Sequence, residues 1–264
     1  RVQSVALKLI VDREREIQNF VPREYWTIEA DFKDFKATLD KYHGKDIEVA
    51  NEVQADEILS NLSKSFKIES VTEKEKNKSA REVFKTSTLQ QAASNKLGFA
   101  PSKTMKIAQD LYEGKTLKNE TVGLITYMRT DSTRISEEAR AATKEQISKT
   151  YGSEYYENRY YKKSSEAQDA HEGIRPTYIY ITPESIKDSL TTDQYKLYRL
   201  IYNRFLASQM KSAIFDTLAV TIDANEYNFK ANGQSIKFKG FMTLYVEGTD
   251  EKEDEIGQIP LLEV

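Results

Sequence analysis

The spacing of apolar residues changes period along the chain, and each change predicts a different element. Val2, Val5, Ala6, Leu9 and Ile10 recur at helical spacing and lead into the charged run Asp12 to Glu16. They predict an amphipathic helix, in a region that Pro22 ends. From Tyr25 the period drops to two: Trp26, Ile28, Ala30 and Phe32 alternate with Thr27, Glu29 and Asp31. That alternation predicts a strand with one buried face, and residues 35–42 read as its partner. Residues 51–63 predict a short helix. Phe66 and Ile68 begin another strand, and the polar run that follows to about Ser79 reads as an exposed connection.

Helical spacing then returns. Ser87 and Gln90 fit a capping box ahead of Leu89, Ala92, Ala93 and Leu97, with Gly98 as the stop. Pro101 opens a second helix through about Tyr112, and Ser136 caps a third to about Thr150. Thr191 and Gln194 form another capping box before a long helix bearing Tyr198, Ile201, Tyr202 and Phe205. Period two resumes at Ile214, where Leu218, Val220 and Ile222 alternate with Thr217, Ala219 and Thr221. Asn232-Gly233 predicts the hairpin turn between the last two strands. The order helix, strands, helices, strands predicts an α+β protein, with a helical domain of about 85–212 inserted into a β-rich domain built from both flanks.

Composition removes several classes of chemistry. Cys is absent, which excludes disulfides, thiolate zinc sites and cysteine nucleophiles. The two histidines, His43 and His171, are too few for a histidine-rich metal site, and Arg175 breaks any HExxH reading of His171-Glu172. Neither a GxxxxGK loop nor a GxGxxG turn occurs. No apolar run approaches a membrane span and no secretory signal is visible, so a cytoplasmic protein with no membrane partner is expected. The chain opens at Arg1, without Met and within a helical pattern, and reads as a piece of something longer.

The net charge of −3 conceals an uneven distribution. Residues 245–264 carry seven acids and one base, leaving +3 on the remainder, and residues 71–118 hold ten Lys/Arg against five Asp/Glu. Such a segment binds phosphates or is simply a solvated charged face.

The densest chemistry lies at 124–136. An apolar lead-in, Leu124-Ile125, meets Tyr127, Arg129, Asp131, Ser132 and Arg134 within eight positions. Tyr127 and Arg129, two apart, share a side in extended structure. A phenol can attack a phosphodiester while a neighbouring guanidinium neutralises the growing charge. A surface tyrosine beside an Arg–Asp pair is the plainer alternative. A second cluster, Glu166, Gln168, Asp169, His171, Glu172 and Arg175, offers a phosphate-orienting or proton-moving histidine, or a surface histidine in a loop before Pro176.

Ile125-Thr-Tyr-Met-Arg-Thr-Asp-Ser132 resembles the active-site tyrosine motif of type IA DNA topoisomerases, with Met128 and Thr133-Arg-Ile-Ser136 closer to bacterial topoisomerase I than to topoisomerase III. Four further stretches agree in the family's order: Arg1-Val-Gln-Ser4 with Asp12 to Pro22, Ser87 to Phe99, Lys103 to Tyr112, and Ala170-His-Glu-Gly-Ile-Arg-Pro-Thr177. The resemblance implies relaxation of negatively supercoiled DNA without ATP, through single-strand cleavage, a 5′-phosphotyrosine and strand passage. It implies Tyr127 as nucleophile, Arg129 on the scissile phosphate, His171 as a phosphate- or proton-positioning group, and Arg1, Val2 and Gln3 on the strand backbone. The implied fold is a toroid. Residues 1–24 would be a helical piece of a further DNA-binding domain, 25–84 with 213–264 the β-rich arch, and 85–212 the helical tyrosine domain. The family's Mg²⁺ is implied to bind a Toprim domain lying before Arg1, so no metal is expected on this chain and the chain alone is expected not to relax DNA. A nucleoid-associated monomer acting on single-stranded and negatively supercoiled DNA is implied. The competing readings are a non-catalytic single-stranded DNA-binding or gate module, and a tyrosine recombinase.

Overall fold

The computed structural model describes residues 2–117, 120–161 and 171–246. Among the described residues the chain divides into two compact units: 2–73 with Leu218–Gly233 form one, and the described residues of 74–217 with 234–246 form the other.

The first unit opens with helix α1, Val2–Gln18, which exposes Val5, Leu9 and Ile10 along with its charges. Strands β1, Glu29–Phe32, and β2, Phe35–Tyr42, pair antiparallel as their alternation requires, and a two-residue β3, Lys45–Asp46, returns along β2. Helix α2, Glu52–Asn61, is capped by the Asn51 side chain and buries Ala55 and Ile58. Three long strands belong to this unit over 67–73, 218–224 and 227–233: β4, Lys67–Lys78; β7, Ala213–Ala224; and β8, Tyr227–Phe238. The sheet order is β1-β2-β8-β7-β4. In β8 of this unit Tyr227, Phe229 and Ala231 face inward with Val220, Ile222 and Ala224, and they close a core with Ile28, Ala37 and Val49.

Two local expectations change here. The hairpin turn is Asn225-Glu226, not Asn232-Gly233. Both turn residues take positive φ (60° and 70°), as a two-residue turn matching the strand twist demands, and Asp223 accepts a hydrogen bond from the Glu226 N–H at 3.1 Å. Gly233 instead continues the buried alternation of β8. The polar run to Ser79 is strand β4 rather than a connection. Its backbone pairs within the sheet, so side-chain apolarity is not needed to hold it there.

The second unit is mainly helical. Helix α3 spans Thr86–Leu97 and ends at Gly98 in the left-handed conformation (φ 66°). Helix α4, Pro101–Glu113, has its proline in the first turn. A small hairpin, β5 Lys115–Leu117 and β6 Glu120–Val122, leads to the tyrosine segment. Helix α5, Glu137–Tyr151, is capped by Ser136, and α6, Thr192–Ser208, by the Thr191–Gln194 box. Helix α6 carries much of the core: Leu197, Tyr198, Ile201 and Phe205 are buried against Phe84, Leu89, Leu111 and Leu124. The expected Ser87 cap gives way to a start at Thr86 after Lys85, with Thr88 accepting from the Lys85 N–H at 3.1 Å. A tertiary contact fixes that start, because Thr86 is bound to the tyrosine segment.

Candidate active site

Leu124 and Ile125 are buried in the helical core and anchor the residues that follow. From there burial alternates: Met128, Thr130 and Ser132 point inward, while Tyr127, Arg129 and Asp131 are exposed. A side-chain period of two thus presents Tyr127 and Arg129 outward together, although the segment pairs with no strand ladder.

Thr86, the first residue of α3, clamps this segment from one side. Its hydroxyl donates to the Met128 carbonyl at 2.8 Å and accepts from the Thr130 N–H at 2.9 Å. Its own N–H donates to the Thr130 carbonyl at 2.9 Å. Thr126 clamps it to the histidine segment on the other. The Thr126 N–H donates to the Arg175 carbonyl (2.9 Å), and its hydroxyl donates to the Gly173 carbonyl (2.7 Å) and accepts from the Arg175 N–H (3.0 Å). Ile125 and Pro176 form an antiparallel bridge, and the Thr177 N–H donates to the Leu124 carbonyl at 3.0 Å.

The histidine segment is fixed as firmly. Gly173 N–H donates to Arg134 and Ile174 N–H to Phe84, at 2.9 and 2.7 Å. A Cβ at position 173 would lie 2.4 Å from Val83 Cγ1, so only glycine fits this approach. The Arg175 Nε donates to Glu172 Oε2 at 3.0 Å and its Nη1 to the Pro176 carbonyl at 2.9 Å, with both charged side chains largely buried. This pair braces the turn that carries His171.

The consequence is a close aromatic group. The His171 ring lies 5.5 Å from that of Tyr127, tilted by 33°, and the Tyr112 ring of α4 meets Tyr127 edge-on at 5.4 Å. Beside it, Thr86, Ser87, Arg129, Thr130, Asp131 and His171 line an open cleft of about 380 Å³. The Arg129 guanidinium and the partial positive charge at the start of α3 can hold an anion such as a phosphodiester there, with the Asp131 carboxylate alongside.

Tyr127, Arg129 and His171 are therefore brought together. Of the remaining candidates, Gln3 is exposed near the start of α1, in the first unit, where Val2 begins the helix. Arg1, Glu166, Gln168 and Asp169 lie outside the described residues, as does the acidic stretch from Glu247. The sequence groups Glu172 and Arg175 with His171 but does not signal that they pair with each other, and it gives no role to Thr86, Thr126 or Tyr112. Thr86 and Thr126 act on partners more than forty residues away, which no local spacing signals. Among the described residues no group of three His, Asp or Glu side chains could hold a metal ion, and no helix is long and apolar enough to cross a membrane.

The family model described as DNA topoisomerase matches residues 1–264. Full-length topoisomerase I from Thermotoga maritima is similar in structure, with a TM-score of 0.82 at 38% identity. The match covers 99% of this chain and 42% of that one, so the chain spans less than half the length of this relative.

Proposed function

The chain belongs to the bacterial-type, type IA DNA topoisomerase family, and we propose that it carries the strand-cleaving tyrosine of an ATP-independent enzyme that relaxes negatively supercoiled DNA. The observation that carries this reading is the meeting of Tyr127, Arg129 and His171 at one cleft.

The phenolic oxygen of Tyr127 attacks the phosphorus of a single-stranded phosphodiester. A Tyr–O–P bond forms and the P–O3′ bond breaks, giving a 5′-phosphotyrosine and a 3′-hydroxyl. The phenolic proton passes to His171, whose ring lies against Tyr127, and the leaving 3′ oxygen takes a proton from outside the cleft. Arg129 holds the non-bridging oxygens as charge grows on them, helped by the partial positive charge at the start of α3. Exchange of one phosphate ester for another conserves bond energy, so religation by the 3′-hydroxyl needs no ATP. The Mg²⁺ implied by the resemblance finds no fitting cluster among the described residues, and no step here is routed through it. The substrate is a single-stranded stretch of negatively supercoiled duplex DNA in the cytoplasm, and a monomer suffices because the three groups come from one chain.

The 264-residue chain by itself is proposed not to relax plasmid DNA, since it spans 42% of the relative it matches and the implied Mg²⁺-holding groups have no counterpart among its described residues. The test is covalent trapping in a full-length enzyme containing this chain. Tyr127→Phe removes only the attacking oxygen. It should abolish the protein–oligonucleotide adduct while leaving oligonucleotide binding within about twofold, because the ring contacts stay. An adduct that persists at another residue would overturn the assignment, as would its absence in the unsubstituted enzyme, which favours the non-catalytic gate.

A further inference from the structure

Immediately beyond the histidine segment, the chain exposes two tyrosines on a rigid turn. Tyr178 and Tyr180 are 45% and 69% exposed, and their ring centroids lie 5.4 Å apart at 34°. Between them Ile179 is buried in the core. The turn is closed by the Ile181 N–H donating to the Tyr178 carbonyl at 3.2 Å. Two tyrosines of α6 pin it from beneath: the Tyr202 hydroxyl donates to the Ile179 carbonyl (2.9 Å) and the Tyr198 hydroxyl to the Ile181 carbonyl (2.7 Å). The exposed rings thus stand on a backbone held at both ends by buried hydrogen bonds, so a partner loses little chain entropy in meeting them.

The same turn follows directly on residues that pair with the tyrosine segment. Thr177, next to Tyr178, donates to the Leu124 carbonyl at 3.0 Å, and Leu124 precedes Tyr127 by three residues, a span of at most about 11 Å. At about 3.4 Å per stacked nucleotide, that span matches a few nucleotides of a strand attacked at Tyr127.

We propose that Tyr178 and Tyr180 form a base-stacking platform for the single strand beside the cleavage site, a contact to the bases and not to the phosphates. The platform rests on the DNA-cleaving reading of Tyr127 and adds a second point of contact to it. Aromatic rings stack on any base, which gives affinity with little sequence preference. Residues 177–182 carry no charged side chain, so the turn supplies no phosphate-binding charge of its own. The two contacts therefore differ in kind. The platform's contribution is independent of salt, whereas that of Arg129 falls as salt rises.

The experiment uses the 264-residue chain with Tyr127→Phe, so that no cleavage intervenes, and a fluorescent single-stranded oligonucleotide carrying 5-iodouracil at successive positions. Tyr178→Ala with Tyr180→Ala is expected to weaken binding about tenfold without changing the slope of log affinity against log salt. The pair of Phe variants should bind like the parent, because the ring face is kept. Arg129→Ala should instead reduce the slope by about one. Ultraviolet crosslinks should map to Tyr178 or Tyr180. Both tyrosines are exposed, so an unchanged thermal melt checks the fold. Alanine variants that bind like the parent, with Arg129→Ala still weakening binding, would overturn the platform and leave the cleavage reading standing. Indifference to Arg129 as well would overturn both.

Discussion

The Thr126 hydroxyl donates a 2.7 Å hydrogen bond to the carbonyl of Gly173, joining residues 47 positions apart. The same oxygen accepts from Arg175 at 3.0 Å, so one small side chain bonds both a donor and an acceptor of the histidine segment. Tyr127 follows Thr126 directly and His171 lies two residues before Gly173. The approach of their rings is therefore set by backbone bonds and not by their own weak contact, which at an exposed site contributes little.

Arg129→Lys keeps the charge at the cleft but loses the planar fork that holds two phosphate oxygens at once. In the full-length enzyme, cleavage and religation should slow by roughly tenfold or more, while oligonucleotide affinity changes by less than about threefold. Rapid-quench measurement of both steps checks this. A rate equal to that of the parent would mark Arg129 as a bystander.

Thr86→Val keeps the shape of the clamp and removes its hydroxyl. The Thr130 N–H then loses its acceptor, at a cost of about 1–3 kcal/mol. The thermal midpoint should fall, and the cleavage rate should fall further than DNA affinity does, because Thr86 fixes the backbone on both sides of Arg129. Thr86→Ser, which restores the hydroxyl, should recover most of both.

Gly173→Ala places a methyl 2.4 Å from Val83 Cγ1, and Val83 is fully buried. Either Val83 or the histidine segment must shift, with an expected loss of about 1–3 kcal/mol. Pairing it with Val83→Ala frees the space and should recover part of the cleavage rate. Failure of that rescue, measured by adduct formation, would show that the close packing does not position His171.

Stability should decline in alkali. Burial pushes the Tyr161 hydroxyl up to about 12, and burial raises Tyr198 and Tyr202 further still. Unfolded tyrosine ionises near 10, so above that pH the unfolded chain has released protons the folded chain retains. Each such group's stabilisation is complete below pH 10 and is lost as pH rises through its folded value. Denaturant titrations from about pH 9 to 12 should show midpoints falling, and Tyr198→Phe should make the fall shallower. A flat profile would contradict the burial of these hydroxyls.

The sequence by itself determined the elements whose signals are local. Pro101, Ser136 and the Thr191–Gln194 box open their helices where expected, and Gly98 ends α3, because caps depend on residues three or four apart. It also placed Tyr127 and Arg129 outward together, since alternation needs only a buried Met128 between them. Tertiary structure decided the rest. The hairpin turned at Asn225-Glu226 because β8 keeps its buried face through Gly233, overriding the turn preference of Asn232-Gly233. Polar β4 became a strand because backbone pairing within the sheet carries no side-chain signature. The proximity of His171 to Tyr127 depends on the hydroxyls of Thr86 and Thr126 reaching distant carbonyls, and on a glycine small enough to pass Val83. Those bonds join segments that nothing in their local spacing relates, so they exist only once the helical core has brought the segments together.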